Sequence, residues 1–398
     1  MKGEEYMKNE IPIVVLDLSA TGIGIVRSLA KQGIQVYAYD TEEKYKIGKT
    51  RYASCGICPS PVSMEEELLK FLMNLSRNLG QKAVLYAGSD DFVYFISKNR
   101  DVLSQYYKFL LPEHSLVEAV LDKRLTYELA VKSNIPCPKT FAIQDEEHLK
   151  HIIDEITFPC ILKPAHSSHF RSQIDNRLYK KAIVVEHSSQ LWEEYRFYRS
   201  FGELMIQEII PGEDNSIYSV KTFFDDQMNL IGLWMNQKLH QFPPHFGSSA
   251  LVLSKRNEEV IQTALPFLRK IQFKGLAIAE FKKDPRDGQL KFIEINPRIG
   301  LTQALSSQVG VNLAYLYYLS LTGQNPSPVL NQKEGIKWIY FVRDFLSFRQ
   351  EKRSGGMTFL GWIQSLSGKK VEALFSLYDP LPFIRSFISH IRNLWGRR

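Results

Sequence analysis

Alternation between apolar runs and amphipathic stretches predicts a β-α-β beginning for the chain. Residues 11–17 form a short apolar run, a segment containing Gly22 and Gly24 follows, and an amphipathic stretch extends to Gly33. This order is typical of a strand, a glycine turn and a helix, and residues 35–40 have the pattern of the next strand. Because a helical crossover joins parallel strands, we expect a parallel sheet with right-handed connections.

The pattern changes near residue 116. Before it, residues 83–88 predict another strand, and Ser89-Asp90-Asp91 has the N-cap signature of a helix. After it, a helix containing Lys123 is ended by the prolines of residues 134–138. Further strands are predicted at 159–164, 204–210, 216–224 and 230–238, and two more flank the turn Asp287-Gly288.

Composition is that of a globular protein. The 398 residues are 44% hydrophobic and 23% charged, which suits about two or three packed units. No apolar run has the length of a membrane span or a signal peptide, so we expect a cytoplasmic protein. The net charge of +7 indicates an anionic ligand or surface. Its distributed basic residues argue against nucleic acid as a partner.

Cysteine usage suits a reducing compartment. Cys55, Cys58, Cys137 and Cys160 do not make a disulfide framework. Cys55 and Cys58 have the spacing of half a zinc site, but the chain has no second CxxC motif. We therefore interpret them as unpaired thiols in a loop.

The glycines near the N-terminus allow two interpretations. Gly22 and Gly24 match part of a dinucleotide fingerprint, with Asp40 as a ribose ligand, which would make the chain an NAD-dependent oxidoreductase. However, Arg27 stands where the fingerprint requires its third glycine. We favour a Rossmann-like domain that supports the rest of the protein.

The strongest chemical signal is a polar set on an otherwise apolar hairpin. The turn Asp287-Gly288 lies midway between Glu280 and Glu294, so these carboxylates should face each other on adjacent antiparallel strands. Asn296 lies on the same face because side chains alternate along a strand. Buried carboxylates need a cation, and hard oxygen ligands favour Mg²⁺. Arg298 could offer a cationic fork to phosphoryl oxygens.

These residues resemble the ATP-grasp superfamily, and the resemblance covers residues 11–325. It implies ATP as substrate and two Mg²⁺ ions, for which Mn²⁺ can substitute, held by Glu280, Glu294 and Asn296. The implied nucleotide ligands are Lys123 and Lys163 for the phosphates, Gln207, Glu208 and Ile210 at the adenine, and Asp214 at the ribose. Lysines on separate elements can contact the phosphates from two sides.

One segment departs from the family pattern. The family covers the phosphates with a glycine-rich loop, but this chain has no glycine between Lys163 and Gly202. Ser167 and Ser168 offer hydroxyl donors in its place. We expect the polar stretch that continues to Lys181 to form a lid that orders on nucleotide binding.

The resemblance implies a carboxylate-amine ligase with an acyl-phosphate intermediate. We assign Lys238 to the acceptor carboxylate and Arg298 to the reacting phosphate, and the partners are a small carboxylate and a small amine, with a homodimer as a further association. The branch most similar is that of D-aspartate ligase and carbamoyl-phosphate synthase, so D-aspartate is one candidate substrate. The alternative is a nucleotide-binding regulatory protein without turnover, which the intact Glu280, Glu294 and Asn296 disfavour.

The expected fold class is α/β and α+β, in four parts. A Rossmann-like domain at 1–115 precedes a two-lobed ATP-grasp domain, with its small lobe at 116–205 and its large lobe with the metal site at 206–330. A helical appendage at 331–398 ends in a basic amphipathic helix after Pro382. Such a helix can contact an anionic membrane surface or dock on protein, and we favour peripheral membrane contact.

Overall fold

The computed structural model describes residues 10–165, 170, 173–175, 178 and 180–395. Ser167 and Ser168 lie outside the described residues, as does much of the predicted lid. The strands are β1 (Ile13–Leu16), β2 (Val36–Asp40), β3 (Ser54–Ile57), β4 (Ala83–Ala87), β5 (Tyr107–Lys108), β6 (Thr140–Ala142), β7 (Cys160–Pro164), β8 (Ile183–Val185), β9 (Leu204–Glu208), β10 (Ile217–Phe224), β11 (Leu230–Phe242), β12 (Ser248–Ser254), β13 (Gly275–Lys283), β14 (Leu290–Asn296), β15 (Lys337–Ile339) and β16 (Lys370–Glu372).

The described α-helices connect and cover these strands. They are α1 (Ala20–Ala30), α2 (Glu42–Gly48), α3 (Glu65–Leu79), α4 (Asp90–Lys98), α5 (Arg100–Leu103), α6 (His114–Leu121), α7 (Lys123–Lys132), α8 (Glu146–Ile152), α9 (Ser188–Tyr198), α10 (Glu258–Lys270), α11 (Gln303–Gln308), α12 (Leu313–Leu321), α13 (Phe341–Ser354), α14 (Phe359–Ser365) and α15 (Leu381–Trp395). Short 3-10 turns occupy Ile153–Glu155, Arg199–Phe201 and Asp214–Ser216.

The first sheet is parallel, as predicted. Its five strands have the order β3-β2-β1-β4-β5. The edge strand β3 was not predicted and contains Cys55, while Cys58 follows directly and is buried. The prediction of unpaired thiols is confirmed, but their placement in a loop is wrong because Cys55 belongs to a strand that pairs with β2.

The predicted glycine turn is instead the first part of helix α1. The carboxylate of Asp17 accepts hydrogen bonds from the backbone N–H groups of Ser19 and Gly22, and so fills the helix N-terminus where a phosphate would bind. A Cβ at Gly22 would lie 1.9 Å from the carbonyl oxygen of Asp17, which explains the glycine. Asp40 accepts from the N–H groups of Leu18 and Thr41. The helix N-terminus and the Asp40 carboxylate, which NAD binding would require, therefore already have hydrogen-bond partners inside the fold.

Two further sheets complete the architecture. The four-stranded sheet is antiparallel, with the order β6-β9-β7-β8. The seven-stranded sheet has the order β14-β13-β10-β11-β12-β15-β16, and only its last pair is parallel. Strands β10 and β11 form the predicted antiparallel pair, although β11 continues past Lys238 to Phe242.

One apolar core joins the first sheet to the seven-stranded sheet. It includes Val15 and Tyr86 from the first and Trp234 and Leu276 from the second, together with side chains of α11 and α12. The hydroxyl of Tyr86 also donates to the carbonyl of Ala314 over 2.8 Å. These two sheets form one packed body, whereas the four-stranded sheet has a separate core.

The segment after residue 330 is not the purely helical appendage that was predicted. Strand β15 pairs with β12, and β16 pairs with β15, so both extend the seven-stranded sheet. These strands satisfy backbone groups that would otherwise be left unpaired at the β12 edge.

Helix α15 packs on the protein through one side and leaves apolar side chains exposed on another. It packs against α2, and the Ser386 hydroxyl is buried 3.1 Å from that of Tyr340. The exposed large apolar side chains of the helix are Leu381, Ile384, Phe387 and Ile388. The amphipathic pattern is present, but this apolar side faces solvent. Within the described ranges, no helix has the length and apolarity needed to cross a membrane.

A buried ion pair anchors the C-terminal segment. The carboxylate of Asp379 accepts hydrogen bonds from the Arg27 guanidinium at 2.8 Å and 3.1 Å, and also from the Thr50 hydroxyl. Asp379 is buried and Arg27 is mostly buried, so neither charge can be satisfied by bulk water.

We predict that Asp379→Ala lowers the free energy of unfolding by about 3–5 kcal/mol, because it leaves the Arg27 charge uncompensated. Urea unfolding followed by tryptophan fluorescence measures the change. The control is Asp226→Ala at an exposed carboxylate, which should change stability by less than about 0.5 kcal/mol. Equal midpoints for the two variants would show that the ion pair is not an anchor.

Candidate active site

A cleft is lined by side chains of the four-stranded and seven-stranded sheets. Its empty volume is about 820 Å³, including the part open to solvent, which is within the range of ligand pockets. The sequence-predicted residues that line it are Lys123, Lys163, Gln207, Glu208, Ile210, Lys238, Glu280 and Glu294. A second cleft adjoins it and includes Asn296 and Arg298.

The two predicted carboxylates occupy paired positions. Glu280 is directly opposite Glu294 in the β13–β14 register, as the position of the turn predicts. Glu280 accepts a hydrogen bond from the Ser219 hydroxyl and one from the Lys238 ammonium, each over 2.7 Å. Asn296 lies opposite Ile278 and donates to Glu294 over 3.2 Å. The pair is therefore held in place from three strands.

Glu294 stays ionised despite its burial. Burial alone would raise the pKa of this carboxyl, but three lysines and the Asn296 amide outweigh it and lower the pKa to about 2. These lysines are Lys181, Lys238 and Lys123. Glu294 is thus a fixed negative charge at neutral pH.

The donor set fits Mg²⁺. Two carboxylates and the Asn296 amide oxygen are hard ligands, and Mg²⁺ usually binds few protein groups together with water and phosphate oxygens. Among the described residues, no group of three His, Cys, Asp or Glu side chains could hold a metal ion unaided. Any ion at Glu280 and Glu294 would consequently need Asn296, water or substrate oxygens to complete its coordination.

Lysines converge on the same cleft from different elements. The Lys163 ammonium donates to the Gln207 side-chain oxygen over 2.7 Å and lies 5.2 Å from the Tyr127 ring centre. Burial lowers the pKa of Lys163 well below its usual value, and nearby Lys123 and Lys181 lower it further. Cations that repel one another in a cleft indicate a site for a multiply charged anion.

The three residues predicted at the adenine all line the cleft, but their side chains make different contacts. Gln207 is buried, and its amide donates to the Thr140 hydroxyl while its oxygen holds Lys163, so it positions a lysine. Glu208 lines the cleft and forms a 2.6 Å ion pair with Arg286. Ile210 also lines the cleft.

The described residues that line the cleft do not include Asp214. Its carboxylate accepts from the Gln241 amide over 2.8 Å and lies 3.7 Å from the His245 ring, and both of these neighbours line the cleft. The structure thus places Asp214 in contact with two residues that line the cleft.

Lys238 is part of the carboxylate site. Burial would lower the pKa of Lys238, but the ion pair with Glu280 and the charge of Glu294 raise it. Its side chain lines both clefts. Lys238 therefore remains charged between the two clefts.

Arg298 forms an ion pair with a residue of a helix that connects strands of the first sheet. Its guanidinium forms a bidentate ion pair with Asp90 at the start of α4, with distances of 2.6 Å and 3.2 Å, and it also donates to the Asn296 oxygen. Sequence reasoning identified Asp90 only as part of a helix cap. The N-terminal domain thus contributes directly to the orientation of a site residue.

Other residues of the clefts were missed from the sequence. They are Ser219, Lys221, Asn236 and Lys282. Strand alternation was the available signal. Ser219 and Lys221 interrupt the apolar pattern of β10, and they lie on the same face of the sheet as Glu280. Lys181 was seen only as part of a lid, not as a ligand.

Comparisons with known proteins identify the relatives of this chain. Residues 225–319 match the family model described as carbamoyl-phosphate synthase L chain, ATP binding domain. The chain is 30% identical over 298 residues to the D-aspartate ligase of Enterococcus faecium, covering 70% of this chain and 68% of the relative. It is 24% identical to the carbamoyl phosphate synthase large chain of Methanobrevibacter smithii, covering 50% of this chain but only 19% of that longer protein.

Solved structures share the fold at low sequence identity. The N5-carboxyaminoimidazole synthetase of Staphylococcus aureus, complexed with ADP, aligns with a TM-score of 0.63 at 14% identity over 84% of this chain and 83% of the other. The biotin carboxylase domain of the Hydrogenobacter thermophilus 2-oxoglutarate carboxylase, a dimer with MgADP, aligns with a TM-score of 0.62 at 17% identity over 80% and 72%. The relationship to D-aspartate ligase and the family match show that the chain belongs to the ATP-grasp superfamily and is a C–N bond-forming carboxylate-amine ligase.

Proposed function

We propose that this enzyme uses ATP and Mg²⁺ to join a small carboxylic acid, such as an amino acid like D-aspartate, to an amine. The observation that carries the proposal is the convergence of Lys123, Lys163 and Lys181 beside the Glu280–Glu294 pair. Cations for a polyphosphate and acidic ligands for a metal meet in one cleft. The relationship to D-aspartate ligase supports the amino acid as substrate.

The nucleotide would lie along the larger cleft. Lys123 and Lys163 would contact its phosphates, since lysine ammonium groups suit phosphate oxygens. Ile210 and the backbone beside Glu208 would contact the adenine, and Asp214 would act on the ribose side through Gln241 and His245.

The metal site would be built by Glu280, Glu294 and Asn296. When bound there, Mg²⁺ would neutralise phosphate charge and align the phosphate oxygens. Lys238 already compensates Glu280, and Asp90 keeps Arg298 oriented. These residues would position the acceptor carboxylate beside the γ-phosphate.

The reaction would proceed in two displacements. A carboxylate oxygen attacks the γ-phosphorus, the bond from phosphorus to the β-γ bridging oxygen breaks, and ADP leaves. The amine nitrogen then attacks the acyl carbon, the bond to the phosphate oxygen breaks, inorganic phosphate leaves, and the nitrogen loses its extra proton. Positioning and charge stabilisation supply the catalysis, so no covalent enzyme nucleophile is required.

The exposed side of α15 favours contact with an anionic membrane surface. Its four exposed apolar side chains are accompanied on the helix by exposed Arg392 and by Arg385, whose guanidinium donates to the carbonyl of Lys49. We infer that this face lies in the headgroup region, where apolar insertion and basic charge act together.

The first prediction is that ADP and phosphate form only when both a carboxylate and an amine are present. A panel of amino acids and amines, with chromatographic separation of ADP from AMP, measures it. Glu294→Ala should reduce kcat by at least about 100-fold, because the metal ion that neutralises the phosphate charge loses a protein ligand. Exposed Glu43→Ala is the control and should retain activity. Production of AMP and pyrophosphate would contradict the acyl-phosphate route.

The second prediction concerns pH. Burial lowers the pKa of Lys123 to about 8, so ADP must bind with proton uptake above that pH. Metal-free ADP affinity should fall by up to about tenfold per pH unit above about pH 8, and Lys123→Met should weaken this dependence without removing the contribution of Lys163, whose pKa is also lowered. Calorimetry across this range, with exposed Lys150→Met as control, tests it. A pH-independent affinity in the wild-type protein would contradict a titration of Lys123 that is coupled to phosphate binding.

The third prediction is that the protein sediments with vesicles that contain phosphatidylglycerol but not with phosphatidylcholine alone. Replacing Ile384 and Ile388 together by serine should abolish sedimentation without unfolding the chain, since both side chains are exposed. Leu360→Ser, at an exposed position of α14, is the control. Wild-type protein that stays in the supernatant with anionic vesicles would end the membrane proposal.

A further inference from the structure

A second cleft adjoins the nucleotide cleft on the far side of the carboxylate pair. Its empty volume is about 570 Å³, and it shares Lys181, Lys238, Glu280 and Glu294 with the first. The second cleft, but not the first, is also lined by Lys221, Asn236, Asn296 and Arg298. Any group held here has access to the reacting centre.

Lys221 is a buried lysine in the lining of this cleft. The residue is only 4% exposed, and its ammonium donates to the Ser219 carbonyl over 3.2 Å and to the Asn236 side-chain oxygen. It also lies 4.6 Å from the Trp234 ring centre. Within the described part of the chain, no carboxylate forms an ion pair with Lys221. A charge in this environment is costly to desolvate without an anion.

Asn236 presents a second unused group at the same place. The residue is fully buried, and its side-chain oxygen is occupied by Lys221. Its amide nitrogen finds no acceptor among the described residues. Buried amide donors in folded proteins nearly always have a partner, so this donor indicates an acceptor supplied by a ligand or a water molecule.

We propose that Lys221 and Asn236 bind a second, non-reacting carboxylate of the acid substrate, so that the substrate is a dicarboxylate or an amino dicarboxylic acid. The inference rests on the proposed ligase function. One carboxylate lies beside Glu280, Arg298 and the phosphate, while the other receives N–H groups from the ammonium and the amide.

The strand geometry sets the distance between the two ends. Lys221 follows Ser219 by two residues on β10, and Ser219 is paired with Glu280, so the two levels are separated by about 7 Å along the strand. This separation suits a short acid with a carboxylate at each end.

The charges of the cleft agree with this assignment. Glu280 is paired with Lys238, and Arg298 is paired with Asp90, whereas Lys221 is a lysine of this cleft for which the described residues provide no ion-pair partner. Burial lowers the pKa of Lys221 well below its usual value. The negative charge of Glu280 raises this pKa in part, and the positive charge of Lys238 lowers it again. An arriving carboxylate would restore the lysine charge by supplying the missing partner.

The test compares acids that have and lack the second carboxylate. Calorimetric binding and steady-state turnover are measured for D- and L-aspartate, D- and L-glutamate and succinate, against β-alanine and both alanine enantiomers. At least one dicarboxylate should bind wild-type enzyme at least about 10-fold more tightly than its monocarboxylate counterparts, as expected for a charge-assisted hydrogen bond. Lys221→Met should remove this preference while ADP affinity stays unchanged.

Two controls separate the possible failures. Lys221→Arg keeps the charge and should retain more of the dicarboxylate preference than Lys221→Met does, whereas a purely structural lysine would predict no change in preference for either variant. Equal binding of dicarboxylates and monocarboxylates by wild-type enzyme would overturn the inference even if ligase activity were present. Lys221-dependent dicarboxylate binding without any ADP formation would instead overturn the proposed function and leave the subsite standing.

Discussion

The antiparallel pairing of β13 with β14 brings two carboxylates to one buried place, and the rest of the active site is organised around their charge. Glu280 and Glu294 face each other in the register, so neither can move away without breaking the ladder between the strands. Repulsion between them has to be offset by cations. Lys238 meets Glu280 directly, while Lys123 and Lys181 keep Glu294 ionised. Negative charge that is fixed by the backbone therefore explains why so many basic side chains gather here.

The balance of charge differs between the two sides of that pair. Toward the nucleotide cleft, lysines on α7 and β7 and Lys181 lie closer to one another than their own charges favour, which suits a polyphosphate. Toward the second cleft, most charges are already paired and Lys221 stands apart. The Glu280–Glu294 pair thus separates a strongly cationic region from one in which most charges are paired, and the two regions suit ligands of different charge.

Sequence reasoning succeeded where short-range geometry decides the structure. The turn at Asp287-Gly288 fixes the register of the hairpin, so the opposition of Glu280 and Glu294 followed from counting residues. It failed where distant segments meet. The ion pair between Asp90 and Arg298 joins residues 208 positions apart, and no local pattern encodes it. The prediction of a glycine turn at Gly22 was wrong for a related reason: Gly22 lies inside α1, where its missing side chain makes room for the Asp17 backbone, and no local pattern reveals that packing need.

The link between Asp90 and Arg298 has a mechanical consequence. Together with the apolar core around Tyr86 and Trp234, it fastens the parallel sheet to the seven-stranded sheet as a single rigid unit. The four-stranded sheet has its own core and meets that unit across the nucleotide cleft. Under the proposed function, exchange of ADP for ATP falls to the four-stranded sheet, which carries Lys163, while the proposed metal ligands and acid-binding residues belong to the other unit. The acid would then stay bound between successive nucleotide exchanges, because the part of the protein that releases the nucleotide would not be the part that holds the acid.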